Sequence, residues 1–395
     1  MHPGAAVLGY RKRSFESAHQ LLRRLQEAPN DFDALRSAQI LLLHEIVRAE
    51  RNIRRLKAEA RSLASAGASK RAVFLKNRIE GLRRCTYIWR CFGDAIAFTY
   101  LDKHALKQTF FNTENWLPKQ SAGFIADKEG LHAELDLVDK ALAADVPAML
   151  VDLTNTIRYG DVCLLGSSDP YLIEVKTSKS KNRRVARQLR DLQKLSSFYQ
   201  KDFAKDFRGQ ELRRANVEIP EVTYLAEINN CITEAMVSGY SIARPEPGLT
   251  YLAVAGDAPI GEIMPKIGFL SPPLTFFLNV DKTEHSWQPY FPFTLSIEKL
   301  EHLWAFLEGQ LVIVVFVDPQ ALVDYAETQG YQARWEDTEG GASFVLTSSD
   351  GESHMAISPF FIGRFGLDFS SPRWAIQTTI ERLRLLKEGA AFAER

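Results

Sequence analysis

Apolar positions along the first hundred residues recur with the period of an α-helix. In 32–64 they fall at steps of three and four, with arginines and glutamates between them: Leu35, Ala38, Leu42, Ile46, Ala49, Ile53 and Leu56. A shorter amphipathic helix is predicted over 14–27, and a second long one over 70–90 after the small residues of 65–69. The two long helices are therefore expected to run antiparallel as a helical hairpin.

From about residue 123 the pattern changes to one helix followed by short apolar runs typical of strands. It predicts a helix over 127–144, strands over 148–154, 158–165 and 171–177, a basic helix over 183–207, a helix over 224–237 and a strand over 249–254. This order, α-β-β-β-α followed by a further strand, predicts an α/β core. Apolar strands at 311–317 and 343–347 and a helix at 374–387 indicate another α/β region.

We therefore expect three regions: a basic helical hairpin over 1–100, an α/β domain over 101–257 and a C-terminal α/β accessory domain over 258–395. The net charge of zero conceals an uneven distribution among them. Residues 1–90 contain 19 Lys and Arg against 8 Asp and Glu, whereas 215–395 contain 11 against 24. Such asymmetry is typical of proteins with a charged partner, often nucleic acid. Solvated helix faces and an acidic, solubilising surface explain the same numbers, so charge alone leaves both interpretations open.

Several common classes of site are absent from the sequence. There is no GxxxxGK[ST], GxGxxG, GxSxG or HExxH pattern, which argues against an ATP-binding P-loop, a serine hydrolase and a zinc enzyme. The four cysteines form no CxxC pair, the first residues lack the apolar core of a signal peptide, and the longest apolar run is far too short to span a membrane. These features predict a cytoplasmic protein with no membrane partner.

One segment combines two strand-like runs with acidic residues and a lysine. The runs flank the turn at 166–169, which predicts a β-hairpin that pairs Asp161 with Glu174. Because side chains alternate along a strand, Asp161, Glu174 and Lys176 are expected on one face, opposite a wholly apolar one. Facing carboxylates repel each other unless a cation lies between them, and hard oxygen ligands suit Mg²⁺ or Mn²⁺. Lys176 would then hold or deprotonate the attacking water. A surface strand with a Glu–Lys pair and a turn aspartate is the alternative.

At these residues the chain resembles the PD-(D/E)xK phosphodiesterase superfamily, which has the restriction-endonuclease-like fold. Gly160-Asp161 matches the first half of the motif and Glu174-Val175-Lys176 the second, with glycine where the family has proline. The resemblance covers about 123–257 and implies an αβββαβ core and Mg²⁺-dependent cleavage of phosphodiester bonds, usually in DNA. It implies that Asp161 and Glu174 bind the metal through their carboxylates and Val175 through its backbone carbonyl, and that Lys176 attends the attacking water.

Two helical residues are expected to complete this site. Glu134 lies beside the apolar stripe of its helix and can face the sheet, whereas Glu129 falls away from that stripe. A solvated helix glutamate is the alternative for Glu134. Gln188 resembles the glutamine that some members of the superfamily place beside the active site, although Gln193 competes for that role.

The segment after the motif is strongly basic. Seven cations and no acid occur in fifteen residues: Lys176, Lys179, Lys181, Arg183, Arg184, Arg187 and Arg190. A phosphate backbone lying across the start of this helix would be held next to the predicted metal. A solvated basic face is the alternative.

The sequence thus predicts a metal-dependent nuclease that acts on DNA, with RNA as a weaker alternative, and either a homo-oligomer or a partner protein is compatible with it. Such domain combinations resemble bacterial antiviral-defence or repair effectors by analogy of architecture. The rival hypothesis is a non-catalytic protein on a nuclease-like fold that binds nucleic acid or a partner. The intact Asp–Glu–Lys set favours the enzyme.

Overall fold

Long helices build the first part of the chain. The computed structural model describes residues 11–65, 69–121, 123–175, 183–214, 219–268, 272–279, 287–338 and 341–387. Helix α1 covers Lys12–Glu27, α2 covers Phe32–Ser65 and α3 covers Ser69–Tyr100. The ion pairs Glu59–Arg71 and Glu50–Arg90 join α2 to α3 in opposite sequence order. This pairing confirms the predicted antiparallel hairpin.

The chain divides into two compact units. Unit one comprises Met1–Arg213 and Glu284–Leu295, and unit two comprises Arg214–Thr283 and Ser296–Arg395. This division does not coincide with the boundaries expected after residues 100 and 257. The helical hairpin and the following α/β segment belong to one unit, and the helix and strand expected at the end of the α/β domain belong to the other.

Unit one contains a three-stranded antiparallel sheet with helices before and after it. Its further elements are α4 (Lys103–Phe110), α5 (Leu131–Ala143), β1 (Ala148–Leu150), a 3₁₀ turn (Val151–Leu153), β2 (Val162–Leu164), β3 (Tyr171–Ile173) and α6 (Arg183–Lys201). The strand order is β1-β2-β3, with Val162 opposite Ile173 and Leu164 opposite Tyr171. This is the register that the sequence predicts for the hairpin.

The strands are shorter than the predicted apolar runs because side chains and turns take over the backbone hydrogen bonds. The first predicted strand ends early because Val151–Leu153 form a 3₁₀ turn, after which the N–H of Thr154 donates to the carbonyl of Val151 (2.9 Å). Asp94 on α3 accepts hydrogen bonds from the backbone N–H groups of Asn155 (2.9 Å) and Thr156 (2.8 Å), which fixes the loop that follows. The basic helix likewise ends at Lys201 rather than 207. After it, β4 (Phe203–Phe207) pairs with β5 (Gln210–Arg213) in a separate two-stranded hairpin.

The helical hairpin packs directly on the sheet. Gln39, buried on α2, donates to the carbonyl of Ala148 (2.9 Å) and accepts from the N–H of Leu150 (3.0 Å), so one side-chain amide completes the edge strand β1. Gly93 on α3 meets the 3₁₀ turn so closely that a Cβ there would lie 1.9 Å from the carbonyl oxygen of Leu153. These two contacts explain why the hairpin and the α/β segment form one unit.

Unit two is also mixed α/β. It contains α7 (Leu225–Ser238), β6 (Tyr240–Glu246), β7 (Leu249–Ala255), α8 (Ile260–Ile263), a 3₁₀ turn (Met264–Ile267) and β8 (Leu274–Leu278). The short helix α9 (Phe293–Ser296) belongs to unit one up to Leu295. Unit two then continues with α10 (Leu300–Leu307), β9 (Leu311–Val317), α11 (Pro319–Thr328), β10 (Tyr331–Thr338), β11 (Gly341–Ser348), β12 (His354–Ile357), α12 (Pro359–Leu367) and α13 (Pro372–Lys387). Its two antiparallel sheets have the strand orders β6-β7-β9-β8 and β10-β11-β12.

Strand β7 corrects one expectation of the resemblance. This strand was expected to complete the core that contains the 158–178 hairpin. It hydrogen-bonds instead to β6 and β9 of unit two and is buried along almost its whole length. Unit one therefore shows the order α-β-β-β-α without this further strand. Within the described residues, no helix has both the length and the apolar character needed to cross a membrane.

Candidate active site

The β2–β3 hairpin places Asp161 and Glu174 next to each other at its open end. Both residues lie one position beyond the paired strands, and the N–H of Asp161 donates to the carbonyl of Ile173 (2.8 Å). The preceding Gly160 has φ +76°, and a Cβ there would lie 3.0 Å from the same carbonyl oxygen. Glycine adopts this conformation readily, whereas proline, with φ fixed near −65°, does not. The turn therefore favours glycine at position 160 over proline.

Three carboxylates surround one ammonium group at the open end of the hairpin. The Nζ of Lys128 lies 2.9 Å from Glu134 Oε1, 2.8 Å from Asp152 Oδ2 and 2.9 Å from Asp161 Oδ1. We call these four residues the Lys128 cluster. The carboxylates come from different elements, α5, the 3₁₀ turn and the start of β2, and Lys128 precedes α5. The fold therefore brings Asp152 and Asp161 to Lys128 and Glu134, which are neighbours in the chain.

Burial and ion pairing shift the pKa values within the cluster in definite directions. Glu134 is almost fully buried, and this burial raises the pKa of its carboxyl group to about 7 despite the hydrogen bond from Lys128. Burial alone would lower the pKa of Lys128, but its three carboxylate neighbours, Asp152 foremost, raise it well above its usual value. Lys128 is therefore charged at neutral pH, while Glu134 exchanges a proton near neutrality.

The chemistry of the Lys128 cluster suits a hard divalent cation, because all its acceptors are carboxylate oxygens. Its spacing suits an ammonium group, since the Nζ–O distances are 2.8–2.9 Å and Mg²⁺–O distances are about 2.0–2.1 Å. Among the residues that the structure describes, no group of three or more His, Cys, Asp or Glu side chains is placed to hold a metal ion directly. A metal ion and the Lys128 ammonium group therefore exclude each other at this point.

The cluster opens into a cleft of about 1320 Å³ in unit one. Asp152, Asp161 and Glu174 contribute carboxylates to its lining, and α6 contributes Arg187 and Arg190. Pockets for small ligands usually measure about 300–1,000 Å³. The size and the mixed charge of this cleft fit a segment of an anionic polymer better than a small molecule.

The structure brings several of the predicted site residues together in this cleft. Asp161, Glu174, Gln188, Arg187 and Arg190 line it, whereas Gln193 is exposed and does not. Glu134, in the first turn of α5, joins the cluster through Lys128. Glu129 is exposed as expected, but α5 begins at Leu131 rather than at 127, so Glu129 precedes the helix and its exposure does not follow from helix phase.

The remaining predicted residues have separate outcomes. Val175 contacts Asp161 through its backbone N–H, which donates to Oδ2 (2.9 Å). Lys176, Lys179 and Lys181 lie outside the described residues, as do the side chains of Arg183 and Arg184, with which α6 begins. Their predicted contacts with water and phosphate therefore stay predictions.

Sequence reasoning missed seven charged residues that line the cleft: Glu114, Lys119, Lys128, Asp152, Arg158, Asp191 and Lys194. Burial lowers the pKa of Lys119 to about 8 and that of Arg158 to about 10. Asp152 could have been predicted from the sequence, because it follows an apolar run just as Asp161 precedes one. Lys128 could not, because its contacts lie 6, 24 and 33 residues away in the chain.

Lys119 is held close to an aromatic ring and to a carboxylate. Its Nζ lies 3.3 Å from the centroid of the Tyr159 ring and 3.9 Å from Asp191 Oδ2. Asp191 also accepts a hydrogen bond from Thr113 (3.0 Å). This arrangement keeps a lysine of lowered pKa inside the cleft.

Comparisons of the chain with protein-family models, with curated proteins and with solved structures found no match.

Proposed function

We propose that this protein is a metal-dependent nuclease that hydrolyses phosphodiester bonds of nucleic acid, with DNA as the first substrate. The observation that carries the proposal is the lining of a single cleft. Carboxylates that suit a divalent cation share it with arginines that suit phosphates. Asp161 and Glu174 lie next to each other on the hairpin, and Arg187 and Arg190 project from α6.

The donor chemistry of the site fits Mg²⁺ or Mn²⁺. Asp161, Asp152 and Glu174 are the residues that would hold it, once the Lys128 ammonium group has left the first two. When bound, such a cation neutralises charge on a phosphoryl oxygen and makes water a better nucleophile. The protein's own residues do the rest. The N–H of Val175 orients Asp161, and Arg187 and Arg190 hold phosphates along the cleft. Lys119, with its pKa near 8, can exchange a proton with the reacting groups near neutral pH. Lys176 keeps its predicted role beside the attacking water.

A second function has one observation in its favour. Lys128 already supplies a positive charge at the point where three carboxylates meet. A protein that binds nucleic acid or a partner without cleaving it would need no other cation there. This alternative keeps the cleft as a binding surface and removes the chemistry.

Incubation of the purified protein with plasmid, linear and single-stranded DNA and with RNA separates the two functions. We expect cleavage with Mg²⁺ or Mn²⁺ and none with EDTA. Asp161→Asn should slow cleavage by more than about 100-fold, because loss of a ligand should exceed the 10- to 100-fold effect of outer partners. Asp136→Asn, an exposed carboxylate on the same unit, is the matched control. Binding without cleavage of any substrate in either metal would establish the non-catalytic alternative.

A further inference from the structure

A partly solvent-exposed aromatic ring lies at the edge of the cleft. Phe124 lines the cleft, and 39% of its surface is exposed. A solvent-exposed phenyl ring forgoes the favourable free energy of burial, which is about 1.5–3 kcal/mol for a full side chain. Isolated exposed apolar residues are common, so the exposure of Phe124 gains meaning only from how its surroundings hold it.

The backbone on both sides of Phe124 is fixed by contacts with the helical hairpin. Arg90 donates to the carbonyl of Gly123 (3.4 Å), and the N–H of Ala126 donates to Glu50 (2.8 Å). Arg54 donates to the carbonyl of Ala126 (2.6 Å). Ile125 and Ala126 are buried. Because Ile125 and Ala126 are held inside the protein, the backbone of Phe124 is anchored, and its ring presents an apolar surface to the cleft.

Two cations from α2 lie beside this ring. The guanidinium carbon of Arg54 is 5.4 Å and the ammonium nitrogen of Lys57 is 5.7 Å from the ring centroid. These distances leave the ring partly exposed while they place positive charge next to it. Arg54 also forms an ion pair with Asp127, so a bound phosphate would share this guanidinium group with that carboxylate. An aromatic face with adjacent cations is the arrangement that proteins use to bind unpaired bases and their phosphates.

We propose that this edge of the cleft binds single-stranded nucleic acid, with one unpaired base stacked on Phe124 and its phosphate beside Arg54 and Lys57. The proposal rests on the proposed function in one respect, that the cleft binds nucleic acid. A protein ring can receive the face of a base only where that base is not stacked between neighbours. The preferred substrate is therefore a single strand or an unpaired end, rather than the interior of a duplex.

Fluorescence anisotropy with labelled 20-nucleotide dT and rU strands and a 20-base-pair duplex, all in EDTA, tests this proposal without cleavage. We expect the wild-type protein to bind the single strands more tightly than the duplex. Phe124→Leu keeps an apolar side chain and removes the aromatic face. It should weaken single-strand binding roughly 5- to 150-fold, which corresponds to about 1–3 kcal/mol for one stacked base. Phe124→Trp should retain the affinity. Comparison of the dT and rU strands distinguishes DNA from RNA.

Phe277 provides a matched control, because it is also 39% exposed and lies on β8 of unit two. Phe277→Leu should leave binding unchanged. Wild-type affinity of Phe124→Leu for both single strands, or an equal loss for the duplex, would overturn the proposal. The proposed function would then still stand if Mg²⁺-dependent cleavage required Asp161. Conversely, Phe124-dependent binding without cleavage in any metal would support the stacking surface and refute the nuclease.

Discussion

Each unit of the protein contains an ionic cluster with more acids than bases, and the two clusters differ in their access to water. In unit two, the buried guanidinium group of Arg364 donates to Asp368 (2.7 Å) and Glu221 (2.5 Å), and its side chain is 1% exposed. The aromatic rings of Phe361 and Trp374 lie near it. In unit one, Lys128 is 27% exposed and its cluster opens into the cleft.

The comparison separates a structural ion cluster from one that can exchange its cation. Arg364 is enclosed by protein, so its charge is balanced within the fold, where Asp368 and Glu221 contact it. The Lys128 cluster places three carboxylates around one ammonium group and is accessible to solvent through the cleft. Excess negative charge with access to solvent is what a site needs if it is to take up a metal ion in place of the lysine.

The largest expected effect follows from removing the enclosed cation. Arg364→Met keeps much of the side-chain volume but removes the guanidinium charge that the two acids share. It should lower the free energy of unfolding by about 3–5 kcal/mol, measured by urea denaturation. Arg384→Met removes an exposed partner of Glu381 and should change stability by less than about 1 kcal/mol. Equal effects of the two variants would show that enclosure does not distinguish the clusters.

Removal of the other cation should have a different outcome. In Lys128→Met the carboxylates remain open to solvent, and Glu134, with a pKa already near 7, can take up a proton. The variant should therefore lose less stability than Arg364→Met, and Mg²⁺ should restore it. At a hundredfold excess over its dissociation constant the metal stabilises the fold by about 2.7 kcal/mol. Thermal denaturation with and without Mg²⁺ measures this gain. A larger response in the wild-type protein than in Lys128→Met would contradict competition between lysine and metal.

The sequence predicted those parts of the site that depend on interactions between residues close together in the chain. The alternation of side chains across one turn predicted the β2–β3 register and the meeting of Asp161 with Glu174, because both are local properties. The phase of a single helix likewise placed Glu134. Lys128 could not be found in this way, since the tertiary fold alone brings it to Asp161.

The same limit applies to the fold. The apolar run of β7 shows that the strand is buried but not which strands pair with it, and these lie in unit two. The contact of Gly93 with the turn at Leu153, which joins the helical hairpin to the sheet, depends on the absence of a side chain. No periodicity in the sequence records such a contact.

A smaller effect is expected from the helix carboxylate that faces the cluster. Glu134→Gln removes a negative charge behind the metal site and should raise the Mg²⁺ concentration for half-maximal cleavage by about 10-fold, the lower end of the range for outer partners. Glu129→Gln, at an exposed position, should leave it unchanged. A metal titration of cleavage rates compares the two. The reverse ranking would show that Glu129, in the turn before α5, faces the metal and Glu134 does not.

The smallest effect concerns pH. Burial raises the pKa of Glu134 from its usual 4.5 to about 7, so the folded protein binds this proton more tightly than the unfolded chain does. Its contribution to stability is therefore present at low pH and is lost as the pH rises from about 4.5 to 7. Glu134→Gln imitates the protonated acid and should lose less stability than the wild-type protein over that interval. Urea denaturation at several pH values measures the difference between the two proteins in the free energy of unfolding. Other titrating groups, such as Asp94 with a pKa near 6, contribute about equally to both proteins and therefore largely cancel in this difference. Parallel curves for the two proteins would mean that Glu134 is already ionised at pH 5, held so by Lys128, and that the cluster carries a full excess of two negative charges throughout.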